Sequence, residues 1–200
     1  MVNLLEVNNL KTPKFNTIMT HLEKNQVLME VIKKSPELNI PNWHVGAGVI
    51  ANTIWNSLTE KPVLDGIKDI DWVYFDGSDL SEDSERKTIN LVKAYFSDIP
   101  IKLDIKNQAR VHLWYEEKFG YNIKPYQNIH HAIDTWPTTS TTIALKYDRQ
   151  NGLQHYSTYG FSDALNLTVR ANKAQITEEI YMKKVERWKK KWPELTIIPW

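Results

Sequence analysis

The chain contains no cysteine, which excludes disulfide staples, thiolate zinc sites and cysteine nucleophiles and leaves oxygen and imidazole as metal donors. Nor is there an excess of charge of one sign. Twenty-five basic residues against 24 acidic ones give a formal +1, so no global field marks a nucleic-acid or membrane-surface partner, and any such partner must use a local patch. No apolar run approaches a membrane span, and MVNLLEVNNLKTPKF lacks the basic segment and long apolar core of a secretion signal. A cytoplasmic protein with no membrane partner is expected. Internal repeats, low-complexity tracts and a convincing domain boundary are also lacking, so 200 residues predict one domain. What is present is ordinary for a globular protein: 42% hydrophobic and 24% charged residues, a balance that argues against disorder and coiled-coil rods.

The periodicities predict a mixed α and β chain. Ile18, Leu22, Leu28, Met29 and Ile32 recur at helical spacing, predicting one amphipathic helix from Asn16 to about Lys34, closed by Ser35-Pro36. In WHVGAGVIANTIWNSL a short apolar stretch runs through Gly46-Ala47-Gly48 into a helical pattern, the shape of a strand, a glycine turn and a helix. DIDWVYFDGSD reads as a strand stopped by Asp76-Gly77. Asp79 and Ser81 are both candidate N-caps for a helix to about Ser97, with Ile89, Val92 and Phe96 on one face. In IPIKLDIKN, Ile99, Ile101, Leu103 and Ile105 alternate with polar residues as in a half-buried strand, which turns Asp104 away from the apolar face. QARVHLWYEEKFG reads as a helix ended by Gly120, and NIHHAIDTW as a short helix before Pro137. TTSTTIALKY and LQHYSTYGF flank Asn151-Gly152 as a two-stranded ribbon, and a helix capped by Thr177 precedes an extended tail. The order fits an α+β or α/β mixed sheet.

Chemistry concentrates in three carboxylates. Asp69 and Asp71 lie two apart on a strand, so both side chains leave one face. Asp104 joins them if its strand is the neighbour, as sequential strands usually are. Three carboxylates without basic neighbours repel one another unless a cation sits between them, and hard oxygen donors suit Mg²⁺ or Mn²⁺. Ahead of them, the free amides of the Gly46-Ala47-Gly48 turn and the following helix start are placed to receive a phosphate. Each signal also has a plainer reading: D-x-D flanks many turns, a single strand Asp is often only solvated, and a lone GxG is often only a tight turn. Lys106, Asn107 and Arg110 follow Asp104 and either bring positive charge and amide groups to a phosphate or base, or are solvated strand and helix residues. His112 and Tyr115 read as packing, and His130-His131, on different helix faces, as surface residues. Thr138, Thr139, Thr141 and Thr142 offer hydroxyls near a site or simply follow β propensity. ERWKKKWPEL interleaves Arg187, Lys189, Lys190 and Lys191 with Trp188 and Trp192. The favoured reading is a solvated helix face with both Trp packed inward, the other a single-stranded nucleic-acid binder.

The order of glycine turn, helix, DID, helix and Asp-bearing strand resembles the catalytic core of the nucleotidyltransferase superfamily, which includes DNA polymerase β, tRNA CCA-adding enzymes and aminoglycoside nucleotidyltransferases. More closely, WHVGAGVIANTIWNSLT, GIKDIDWVYFD, LDIKNQARVHLWYEEKFGY, TWPTT and WPELTIIPW are similar to an uncharacterised bacterial family of nucleotidyltransferase-like proteins. The resemblance implies an α+β domain over 1–200, with a core at about 40–120 holding a mixed sheet flanked by helices, and a family-specific helical and hairpin portion at about 121–200. It implies that Asp69, Asp71 and Asp104 ligate metal and are catalytic, and that Gly46, Ala47 and Gly48 approach the triphosphate. A nucleoside monophosphate would pass from an NTP, ATP among them, to a hydroxyl of a small molecule, RNA or protein, with pyrophosphate leaving. The chain departs from the superfamily where Gly-Ser is usual, carrying Ala47 and so lacking that hydroxyl. An inactive nucleotide- or nucleic-acid-binding module, or an interaction protein of toxin-antitoxin type, are the alternatives.

Overall fold

The computed structural model describes residues 13–200. Its elements in order are α1 (Pro13–Leu22), α2 (Gln26–Lys34), β1 (His44–Gly46), α3 (Gly48–Leu58), β2 (Asp69–Tyr74), α4 (Glu82–Tyr95), β3 (Lys102–Asn107), α5 (Val111–Phe119), α6 (Ile129–Asp134), β4 (Ile143–Asp148), β5 (Gly152–Ser157), α7 (Ser162–Leu165), β6 (Thr168–Val169), α8 (Glu178–Lys191) and β7 (Thr196–Ile197). Five strands form one sheet in the order β3-β2-β1-β4-β5, with β2 and β3 parallel and the other pairs antiparallel. The tail adds β7 beside β6, in parallel. This is the mixed sheet flanked by helices that the order of elements implied.

The single helix expected from Asn16 to Lys34 is in fact two. Asn25 interrupts it, accepting from the Leu28 N–H at 3.0 Å and donating its amide to Thr53 Oγ1 at 2.9 Å. A buried Asn with this N-cap geometry competes with a continuous helix through its side chain. The other caps follow the sequence: Ser81 opens α4, Thr177 opens α8, and Gly120, at φ +82°, closes α5 where a side chain would be strained. The Thr-rich stretch is not wholly strand. Residues Thr139–Thr141 form a 3-10 turn in which the buried Ser140 and Thr141 hydroxyls bond the Thr138 hydroxyl and the Thr139 hydroxyl donates to Asp163, so polar satisfaction overrides β propensity there.

One face of the sheet is apolar. Ile70 and Trp72 of β2, Leu103 and Ile105 of β3, and Val45 and Leu145 are buried in the main core with α1, α2 and α4. Trp72 fixes β2 in depth: its ring stacks on Trp43 at 6.0 Å and its indole N–H donates to Ser35 Oγ at 2.9 Å. A second core forms where α8 meets α3. Trp188 and Trp192 meet Trp55 edge to face at 5.3 and 5.4 Å, and the Trp192 indole N–H donates to Asn56 Oδ1 at 2.8 Å. Both Trp therefore pack inward, as their four-residue spacing required. Among the described residues no helix is long and apolar enough to cross a membrane.

Replacing Trp192 by Ala removes this ring contact and leaves Asn56 without its donor. It is expected to lower stability by about 3–5 kcal/mol, read as a lower urea midpoint. A loss below about 1 kcal/mol would mean that something else holds α8 against α3.

Candidate active site

The polar face of the sheet carries the acids because β2 alternates. With Ile70 and Trp72 locked inward, Asp69 and Asp71 must leave the other side. The parallel register sets Asp71 opposite Asp104, and the antiparallel register on the other flank sets Asp71 opposite Gly46. Neighbouring strands lie about 4.8 Å apart, so Asp71 is the crowded member of the group. Gly46 is required by close approach: a Cβ there would lie 2.6 Å from Ile143 O and 2.7 Å from the Trp136 ring.

The acids are not without basic neighbours, contrary to the sequence expectation. Lys106, two residues along β3, forms an ion pair with Asp104. Lys184, half-buried on α8, reaches the same region with its ammonium 5.1 Å from the Trp188 ring centre. Burial pushes the Asp71 carboxyl up to about 6; Lys106 and Lys184 pull it back, while Asp69 and Asp104 push it further. Burial also lowers Lys184, against the attraction of Asp71 and Asp69, and Arg187 lowers it further.

A cleft of about 310 Å³ opens beside these groups. Ala47, Gly48 and Asn52 line it from the start of α3, Lys68, Asp69 and Asp71 from β2 and its approach, and Lys184, Arg187 and Lys191 from α8. The sequence favours a solvated face for the cations of α8 and does not single out Lys184, whereas the structure sets Lys184, Arg187 and Lys191 on the cleft. The signal lay in the 3.6-residue period: Lys184, Arg187 and Lys191 share a face next to the one carrying Trp188 and Trp192. Gly48 and Val49, in the first turn of α3, line the cleft, and that turn has no side-chain cap for its N–H groups. Asn52 is buried at 8% exposure, and its Oδ1 has no hydrogen-bond partner among the described residues.

The turn itself differs from expectation. Ala47 sits at φ +61°, unusual for a residue with a Cβ, and its N–H donates to Ile143 O at 3.0 Å. That amide is therefore engaged within the sheet, and the donors left for an anion belong to α3. Two further residues, Asn107 and Arg110, do not line this cleft. Asn107 is buried as a brace: its Oδ1 accepts from the Asp76 and Ala109 N–H groups, and its amide donates to Asp76 O at 2.8 Å. Arg110 pairs with Glu85 and donates to Leu80 O at 2.9 Å. Asn107 thus ties the end of β3 to the segment after β2, and Arg110 ties α4 to the segment after β3. His130 stacks on Tyr156 at 4.1 Å and meets His44 edge to face, while His131 Nδ1 accepts from the Gln127 N–H, so the pair serves packing.

Among the described residues no three Asp, Glu or His side chains are grouped as a metal cage. The donor set nonetheless fits Mg²⁺ or Mn²⁺. Such ions are commonly held by one or two carboxylates together with substrate phosphates and water, and Asp69 and Asp71 offer hard oxygens at a cleft with phosphate-binding features.

Against known proteins, the model of a family described as nucleotidyltransferase matches residues 33–197. A solved NMR structure, described as revealing a CCA-adding enzyme head domain, superposes with a TM-score of 0.74 at 21% identity, over 92% of this chain and 96% of that one. No curated protein matches. The structural likeness establishes the fold.

Because burial raises Asp71 above its ordinary 3.8, its protonated form favours the fold, and that stability is lost as pH rises through about 6. With divalent cations chelated, Asp71→Asn should match wild type below about pH 4. It should become more stable by about 1–3 kcal/mol above pH 6. Thermal melts across pH 3.5–8 check this, and a variant less stable than wild type at pH 7.5 would refute it.

Proposed function

The chain belongs to the nucleotidyltransferase family, and from that premise we propose that it is a metal-dependent enzyme. It moves a nucleoside monophosphate from an NTP to a hydroxyl of an acceptor and releases pyrophosphate. The observation that carries this reading is the cleft in which Asp69 and Asp71 stand beside Lys68, Lys184, Arg187 and Lys191 at the start of α3. Opposed charges gathered in one cavity fit a polyanion held with a cation.

Asp69 and Asp71 would hold Mg²⁺ or Mn²⁺, which when bound offsets phosphate charge and makes the acceptor hydroxyl more acidic. The four cations and the α3 N-terminus bind the triphosphate and stabilise charge on the departing pyrophosphate. Asp104, oriented by Lys106, takes the proton of the hydroxyl as its oxygen bonds to the α-phosphorus and the bond to the bridging oxygen breaks. The 40–120 core supplies the acids and the 121–200 portion supplies three of the four cations, so the chain works as one nucleotidyltransferase unit. Ala47 favours a second reading, a nucleotide-binding module without turnover, because it offers no hydroxyl and its amide is engaged by Ile143.

Calorimetric titration of each NTP with Mg²⁺ or Mn²⁺ tests the reading without an acceptor. Binding should need the metal and should vanish in Asp69→Ala/Asp71→Ala; equal binding by that variant would sink the proposal. Lys184→Met should weaken NTP binding about tenfold, a loss of about 1.4 kcal/mol. Asp104→Asn should keep NTP affinity within about twofold while slowing pyrophosphate release to water at least 100-fold. Intact binding with no pyrophosphate release in the wild type would favour the module.

A further inference from the structure

Lys184 stands midway along α8, and the two halves of that helix are held in different ways. Beyond Lys184, Trp188 and Trp192 pack into the tryptophan core against α3. Before it, a chamber of about 330 Å³ opens between α8 and α5. Val111, Trp114 and Phe119 line that chamber from α5, and Ile176, Ile180 and Lys184 line it from α8 and its approach. An open chamber supplies few van der Waals contacts across its width, so side-chain packing does not fix the near half of α8 against α5. The Tyr181 hydroxyl ties α8 to Val169 and Ile198, and neither of these belongs to α5.

Hydrogen bonds bridge that gap, and they converge on one residue. Gln175 lies two positions ahead of Thr177, the N-cap of α8. Its main-chain oxygen accepts from the Tyr121 hydroxyl at 2.8 Å, and its Oε1 accepts from the Tyr126 hydroxyl at 2.9 Å. Its side-chain amide also engages the Tyr115 hydroxyl. Tyr115 and Tyr121 are joined to each other, hydroxyl to hydroxyl, at 3.1 Å. Because Tyr121 gives its one proton to Gln175, Tyr115 is the donor in that pair. Tyr115 belongs to α5, while Tyr121 and Tyr126 lie between α5 and α6. Tyr115 packs against Phe119 and Tyr121 with ring centres 4.5 and 5.3 Å apart. Tyr115 and Tyr126 are both buried, so each phenol needs a partner and has little freedom to take another.

We propose that Gln175 is a positioning residue that acts through Lys184. By engaging three tyrosine hydroxyls it pins the start of α8 across the chamber. With the tryptophan core holding the other half, the helix has one setting, in which Lys184 stands beside Asp71. Gln175 itself does not line the cleft that holds Asp69 and Asp71, so its influence there passes through the helix. The inference rests on the transferase reading only for what Lys184 binds; where Lys184 stands is independent of it.

Two measurements on the full chain test this. The first uses no nucleotide: brief acetylation by N-hydroxysuccinimidyl acetate, with each lysine read by peptide mass spectrometry. Lys183, exposed on the same helix, is the reference. Gln175→Ala should raise the relative labelling of Lys184 about 5- to 30-fold, as the loss of two side-chain hydrogen bonds implies. Lys106, also half-buried but held on β3 beside Asp104, reports general loosening and should not change. Tyr126→Phe deletes one hydroxyl and keeps the ring; it should move Lys184 the same way by about 2- to 5-fold, and it decides the matter if Gln175→Ala does not fold. The second measurement is a double-mutant cycle on ATP affinity with Mg²⁺, read by calorimetry. Lys184→Met should weaken binding about tenfold in the wild-type background and less than about threefold beside Gln175→Ala, where the lysine is already displaced. The proposal is overturned if Lys184 labelling does not change, if Lys106 rises with it, or if the effects of the two substitutions multiply in full. Should the wild type bind no ATP, the transferase reading falls while the labelling still decides the role of Gln175.

Discussion

The central constraint is the charge on Asp71. It sits half-buried on a sheet face with Asp69 two residues away on its own strand and Asp104 directly across on the next. Burial and like charges both oppose its ionisation, and so its carboxyl titrates at about 6. The surroundings answer with positive charge from two directions, Lys106 along β3 and Lys184 from α8. A carboxyl arranged in this way is costly to ionise in the fold, the kind of strain on charge that gathers at functional sites.

Lys184 reaches β2 only because α8 is set firmly beside α3. Trp55, Trp188 and Trp192 interlock, Asn56 takes the Trp192 N–H, and the Tyr181 hydroxyl donates to the carbonyls of Val169 and Ile198 at 3.0 and 2.6 Å. The aromatic richness of the C-terminal portion is thus put to structural use. It orients one helix so that Lys184, Arg187 and Lys191 face acids that lie more than a hundred residues earlier in the chain. Packing and electrostatics are coupled through that helix, and a change in the tryptophan core would reach the cleft beside Asp71.

The glycine turn illustrates how one local geometry serves two demands. Gly46 must lack a side chain because Trp136 and the Ile143 carbonyl occupy the space, while Ala47 is held at positive φ with its amide tied to β4. The turn therefore closes the sheet on one side and leaves the first turn of α3 facing the cleft on the other. Trp136, in covering Gly46, packs over the backbone position that stands opposite Asp71 in the register of β1 and β2.

Much of this was legible in the amino-acid order, because it depends on near neighbours. Alternation along DIDWVY and IKLDIK determined that Asp69, Asp71 and Asp104 share the face opposite the core; the caps at Ser81, Thr177 and Gly120 marked helix ends; and the family resemblance rested on contiguous strings. Asn25 was missed because its effect on the α1–α2 break runs through Thr53, 28 residues away. Asn107 and Arg110 stood beside Asp104 in sequence and so looked like site residues, but Asp76, Leu80 and Glu85 claim them in space. Lys184, Asn52 and Trp136 acquired a bearing on the site only when α8, α3 and the loop before β4 converged on β2. Periodicity reports which face of an element a residue occupies; what that face meets is decided by packing between distant segments, and at this site the packing selected which charges stand beside Asp71.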